Sequence, residues 1–232
     1  MEAIILAGGK GARLRSVVSD MPKPAAPVGG VPFLLYLLKW LERNGTARVV
    51  LSIGYLGNVI RSEFGDRFGA LEIAYCSEDT PLGTGGAIKK ALGMCDGKNV
   101  FVVNGDTYFG IELNSLLRFH INNFADITIA LKELTDFDRY GTVECRDGIV
   151  TGFQEKRRMM KGMINGGVYC LRGNIFDGLD MPDKFSFERD FLAAQNDRLR
   201  ICGAPCGGNF IDIGIPEDYV AAQTLIPQWL EV

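Results

Sequence analysis

The sequence predicts an α/β fold: a mostly parallel sheet covered by helices on both faces, with a small β-rich lobe inserted into it or attached to it. Through the first half, short apolar strand signals alternate with helical periodicity, the β-α-β rhythm of a parallel sheet. Through the second half, turn signals and strand runs follow one another more closely. The 232 residues contain no repeat, low-complexity tract or linker, so one domain (1–232) with a substantial core is expected.

In order, Ala3–Ala7 is an apolar run ending in glycines, as a buried parallel strand would. Pro32–Arg43 reads as a helix stopped by Asn44-Gly45. Val49–Ile53 is a β-branched strand, Gly57–Phe64 a short helix and Leu71–Tyr75 a third strand. Gly85–Leu92 gives another helix, Val100–Asn104 a fourth strand and Leu113–Asn122 a further helix, with His120 at a surface position. Beyond these, Tyr140–Cys145 and Ile149–Glu155 flank Asp147-Gly148 as a hairpin. Ile164–Leu171 is a strand, and Pro216–Thr224 is a helix opened by proline.

A net charge of −3 offers no overall attraction to nucleic acid or to an anionic membrane, so an anionic ligand needs a local island of cations. None of the six cysteines forms a C-x-x-C pair, and buried thiols in a reducing compartment are expected. The N-terminal apolar run is too short for a secretory leader and no stretch reaches membrane-spanning length, so the expected location is the cytoplasm.

Such an island follows the first strand in Leu6-Ala7-Gly8-Gly9-Lys10-Gly11-Ala12-Arg13-Leu14. Glycines let backbone N–H groups approach a phosphate, and Lys10, Arg13, Arg15 and Lys23 add charge, which suits a polyphosphate. The Walker pattern fails because Gly11 follows Lys10, and the dinucleotide fingerprint fails at Leu14. Pro22-Lys23-Pro24 holds an ammonium on a stiff segment.

Asp106, in Asn104-Gly105-Asp106, stands beyond the carboxyl end of the fourth strand, where open α/β sheets bind ligands. Beside a polyphosphate it suits Mg²⁺, which takes one or two carboxylates plus phosphate oxygens. Asp212 lies among apolar β residues and needs a partner or a metal. Glu155 and Asn165 are groups that bind sugar hydroxyls, and Lys156 is a point charge for a phosphate. The chain has no serine elbow or paired cysteine to form a nucleophilic triad with His120, its one histidine.

Taken together, these stretches resemble the sugar-phosphate nucleotidylyltransferases from Met1 to about Gln223. The motifs recur in order: Leu6–Leu14, Pro22–Pro24, Pro81–Ala87, Asn104–Asp106, Glu155-Lys156, Asn165–Gly167 and Asp212–Tyr219. The resemblance implies a Rossmann-like three-layer fold with a β-rich sugar-binding lobe. Residues 1–135 would form mainly the nucleotide half and 136–232 mainly the sugar-phosphate half. It implies that Leu6, Ala7, Gly8, Gly9, Gly11 and Gly83 lie along the nucleotide, and that Arg13 and Lys23 attend the triphosphate. Asp106 and Asp212 would hold Mg²⁺, with Arg13, Lys23 and Asp106 catalytic, while Gly141, Glu155, Lys156 and Asn165 face the sugar phosphate. Ala12, Ile215 and Arg157 depart from the usual pattern without removing a catalytic charge.

Within the family, Ser16–Val18, Asp136–Val143 and Lys184–Glu188 are similar to members that pair GTP with D-glycero-α-D-manno-heptose 1-phosphate in surface-glycan synthesis. Mannose 1-phosphate guanylyl transfer, N-acetylmuramate 1-phosphate uridylyl transfer and a non-catalytic regulatory subunit stay open, as does a homodimer. Retention of Arg13, Lys23, Asp106 and Asp212 together argues for catalysis. No hexapeptide repeats follow Tyr219, unlike the relatives that carry a β-helix.

Overall fold

The computed structural model describes residues 1–9, 21–195 and 198–230. The strands are β1 (Glu2–Leu6), β2 (Pro27–Val28), β3 (Val31–Pro32), β4 (Arg48–Ile53), β5 (Arg67–Phe68), β6 (Leu71–Ser77) and β7 (Asn99–Asn104). They continue as β8 (Thr107–Phe109), β9 (Ile127–Phe137), β10 (Val143–Arg146), β11 (Ile149–Phe153), β12 (Met159–Arg172), β13 (Ile201–Pro205) and β14 (Phe210–Asp212). The helices are α1 (Phe33–Arg43), α2 (Gly57–Phe64), α3 (Gly83–Leu92), α4 (Leu113–Asn122), α5 (Ala193–Gln195) and α6 (Pro216–Leu230), with a π-helical segment Phe187–Leu192 leading into α5.

Ten strands make one sheet in the order β10-β11-β13-β9-β12-β7-β1-β4-β6-β5. The neighbours β7-β1-β4-β6 are parallel, and the carboxyl end of β1 carries the glycine loop. Successive side chains of a strand point to opposite faces. Accordingly Ala3 and Ile5 enter a core containing α1, α4 and α6, while Ile4 enters a second core with α3 and Phe187–Leu192. This alternation produces the three layers.

The second half joins the same sheet through β12, antiparallel to both β7 and β9. Strands β9 and β13 carry no assignment in the sequence reading, and β12 begins at Met159 rather than Ile164. Beyond the covered part of the sheet, β9 and β12 pair Leu134–Phe137 with Met159–Gly162, where polar residues interrupt the apolar run. The hairpin turns at Asp147 and Gly148, both at positive φ (51° and 78°), as a two-residue loop of that sequence favours. Helix α6 continues past Thr224 and through Pro227 because Ala222, Ile226 and Leu230 bury one face. Buried thiols are found at Cys76, Cys170 and Cys202, but Cys145 is exposed, since its strand lies at the sheet edge. Among the described residues no helix is long and apolar enough to cross a membrane.

His120 corrects the surface expectation. Leu113, Leu116 and His120 share the inner face of α4, at spacings of three and four, and His120 is 2% exposed. Its Nδ1 lies 2.9 Å from Thr128 Oγ1, and burial pushes its pKa down to about 4. The unfolded chain therefore takes up a proton near the ordinary value of about 6.5, before the folded chain does. This stability contribution is complete above that value and is lost as pH falls toward 4, by at most about 3 kcal/mol. Urea denaturation at pH 7 and 4.5 should show a smaller acid loss for His120→Gln than for the parent. Equal losses would remove His120 from the acid response.

Candidate active site

The chain leaves β1 into the wall of a cavity of about 650 Å³. Ala7 is buried, and its N–H donates to Ser52 O (2.8 Å), which pins the loop to the end of β4. Leu6, Gly8 and Gly9 line the cavity, and Gly83 opens α3 on its rim. A Cβ at Gly8 would fall 3.0 Å from Glu78 Oε1, so glycine here makes room for a carboxylate. Glu78 accepts hydrogen bonds from Ser52 Oγ and the Leu82 N–H, each at 3.0 Å, which fixes its orientation inside the cavity. Gly11 and Arg13 lie outside the described residues.

Lys23 stands in a 3-10 turn, Lys23–Ala25, and its Nζ donates to Asp106 Oδ2 at 2.8 Å. Asp106 is brought there by a close crossing of backbones. The Gly105 N–H donates to Leu6 O (3.1 Å), and a Cβ at Gly105 would come within 2.4 Å of that oxygen. The neighbouring pair β8 and β14 sets Asp212 opposite Thr107, with the Ile213 N–H donating to Asp106 O (2.9 Å). Burial, and next the charge of Asp106, push the Asp212 pKa up to about 6. A carboxylate so desolvated beside another favours an added cation.

These two carboxylates fit a divalent ion completed by phosphate oxygens and water. Among the described residues no cluster of three or more histidine, cysteine or acidic ligands exists that would suggest an all-protein metal cage.

A second cavity of about 330 Å³ contains Gly141, Lys156, Asn165 and Asp212 in its wall. Asn104 and Glu188 line both cavities, so the two adjoin. Glu155 is exposed and lies outside the lining of either. Asn165 is also a structural link, since its Nδ2 donates to Tyr169 Oη (2.7 Å) and its Oδ1 accepts from the Gly167 N–H (3.0 Å).

The sequence model described as Nucleotidyl transferase matches residues 2–228. The chain belongs to the nucleotidyl transferase family. It is 46% identical over 230 residues to the D-glycero-alpha-D-manno-heptose 1-phosphate guanylyltransferase of Aneurinibacillus thermoaerophilus, spanning 99% of this chain and 100% of that protein. A protein of the same description from Campylobacter jejuni is 43% identical over 220 residues, spanning 94% of this chain and 97% of the other. The crystal structure of HddC from Yersinia pseudotuberculosis complexed with GMP-PN matches with a TM-score of 0.85 at 38% identity, over 96% of this chain and 97% of that one. The fold and family expected from the motifs are borne out.

For a nucleotidyl transferase, the sequence reading gave no site role to Glu78 or Asn104, polar groups at these cavities, and carried Glu188 only within the Lys184–Glu188 stretch. Glu78 precedes the Pro81–Ala87 motif by three residues, and Asn104 opens the Asn104–Asp106 motif. Both positions were readable. Their direction was not, because it depends on contacts to Ser52 and to the irregular register of β12 between Asn165 and Tyr169, where a Cβ at Gly167 would lie 2.8 Å from Asn104 Nδ2.

Proposed function

We propose that this chain transfers the guanylyl group of GTP to D-glycero-α-D-manno-heptose 1-phosphate and releases pyrophosphate, with Mg²⁺ as the metal. The observation that carries the reading is the pair of adjoining cavities. One has Gly8, Gly9, Lys23 and Asp106, and the other has Lys156 and Asp212. The first is lined almost wholly by residues before 135 and the second mainly by residues after 136, which supports two functional halves of one domain. The full-length similarity to heptose 1-phosphate guanylyltransferases supports the substrate pair.

In this reading a phosphate oxygen of the sugar 1-phosphate attacks the α-phosphorus of GTP in line, and the bond to pyrophosphate breaks. Both reactants are anions, so catalysis is alignment and charge neutralisation. Arg13 and Lys23 attend the triphosphate, while Lys156 holds the sugar phosphate beside Gly141 and Asn165 in the second cavity, and Glu155, exposed outside that lining, is left without a part in it. Asp106 and Asp212 would hold the metal, which supplies charge neutralisation at the phosphates when bound.

The Glu78 carboxylate supports guanine. Guanine presents two adjacent donors, N1–H and the 2-amino group, to a pair of acceptor oxygens. Uracil and thymine flank their single N–H with carbonyls, and adenine presents an acceptor at N1.

A pyrophosphate-release screen crossing four nucleoside triphosphates with heptose, mannose and N-acetylmuramate 1-phosphates tests the proposal. The heptose carries one more hydroxymethylene than mannose, and a site that bonds its hydroxyl is left unpaired by the shorter sugar. Heptose 1-phosphate with GTP should exceed mannose 1-phosphate by at least tenfold in kcat/KM, about 1.4 kcal/mol. Equal efficiency with mannose 1-phosphate, or preference for UTP with the N-acetylated sugar, would overturn the substrate assignment.

A further inference from the structure

Glu188 sits where the two cavities meet, on a segment held from both sides. The Gly85 N–H donates to Phe185 O (2.9 Å), the Phe185 N–H to Leu82 O (3.0 Å) and the Phe187 N–H to Thr84 Oγ1 (2.8 Å), fastening the segment to the start of α3. Ser186 then caps the π-helical segment. Its Oγ accepts from the Arg189 N–H (3.2 Å), while Asp190 Oδ2 accepts from the Ser186 N–H (2.8 Å). Phe187 is buried against Tyr169, edge to face at 5.3 Å, and stacks on Phe191 at 5.6 Å. The backbone at 188 is therefore positioned by packing and hydrogen bonds on each flank.

The side chain is aimed by a directed chain of hydrogen bonds. Because Asn165 Oδ1 takes the Gly167 N–H, the amide must turn its Nδ2 toward Tyr169. The phenol oxygen accepts that bond and gives its own proton to Glu188 Oε1 at 2.9 Å. Tyr169 is 1% exposed, and its burial, followed by the Glu188 charge, holds the phenol well above its usual range, so it remains a donor. The carboxylate retains further lone pairs for a ligand.

A carboxylate between two phosphate-bearing ligands repels both phosphates and accepts hydrogen bonds only, which leaves hydroxyl groups as its complement. Its tie through Tyr169 leads to Asn165, in the wall of the cavity that holds Lys156. We propose that Glu188 reads the hydroxyls of the acceptor sugar beside its reacting phosphate, and that Tyr169 is the positioning residue that aims it. This rests on the sugar 1-phosphate reading given above.

The test compares the parent enzyme, Glu188→Gln and Tyr169→Phe, using GTP with heptose 1-phosphate and with its singly deoxygenated analogues. The parent should lose at least tenfold in kcat/KM for one deoxy analogue, and Glu188→Gln should treat that analogue and the full sugar within about twofold. Glu188→Gln should raise the KM for the sugar phosphate roughly tenfold while that for GTP moves less than about twofold. Tyr169→Phe keeps the packed ring and should give the same pattern in weaker form. A matching rise in the GTP KM would assign Glu188 to the nucleotide ribose and overturn the inference. So would an undiminished deoxy penalty in Glu188→Gln, with the function itself untouched. A parent enzyme inactive on every sugar 1-phosphate would overturn both, and that arm is read before either variant.

Discussion

Asp106→Asn is expected to fold normally and to lose about a hundredfold or more in turnover, the usual scale for removing a charge that stabilises a phosphoryl-transfer transition state. Asp106 stands at a strand end with its side chain 37% exposed, and asparagine matches its shape, so the backbone crossing at Gly105 needs no change. The substitution removes one of the two carboxylates proposed to hold the metal and leaves Lys23 without its anionic partner. Because the Asn carbonyl still accepts a hydrogen bond from the Lys23 ammonium, that contact survives without its ion pair. The loss should therefore fall on kcat, with a smaller effect on KM for either substrate. Calorimetric titration with Mg²⁺ in the presence of a non-hydrolysable GTP analogue should show weakened metal binding. Unchanged kcat at saturating Mg²⁺, with a melting temperature equal to the parent's, would remove Asp106 from the mechanism.

What could be read from the sequence divides along a physical line. The parallel half was legible because β1, β4 and β7 are buried on both faces and appear as continuous apolar runs. Strand β9 was not, because after Leu131 it leaves the covered part of the sheet and its residues alternate with exposed Glu133 and Thr135. The same division holds in the site. Lys23 and Asp106 were singled out by local chemistry, a lysine between prolines and an acid beyond a strand, but their 2.8 Å contact spans 83 residues of chain. His120 was misjudged although its helix carried the signal, the spacing Leu113, Leu116, His120 on one face. A histidine reads as polar in a periodicity count, whereas a neutral imidazole bonded to Thr128 is accommodated in a core.

Glu78→Gln is expected to cut kcat/KM for GTP by about a hundredfold, since each hydrogen bond to a charged acceptor contributes roughly 1.5–3 kcal/mol. The carboxylate is held by Ser52 Oγ on one oxygen and the Leu82 N–H on the other, so both oxygens have a defined direction and spare lone pairs. In the proposed complex those oxygens accept from guanine N1–H and the 2-amino group. Glutamine keeps one acceptor, sufficient for the Leu82 N–H or the base, and turns an amide donor toward a donor on guanine. The loss should therefore exceed that of a single hydrogen bond. Inosine triphosphate separates this from a general disturbance of the cavity, because it keeps N1–H and lacks the 2-amino group. The parent should prefer GTP over inosine triphosphate by about tenfold or more, and Glu78→Gln should bring the two nucleotides close to equal. The KM for the sugar 1-phosphate should hardly move, as Glu78 lines the first cavity and not the one that contains Lys156. If the GTP-to-inosine triphosphate ratio survives the substitution, Glu78 does not read the base, and the preference for guanine must come from another group in the same wall.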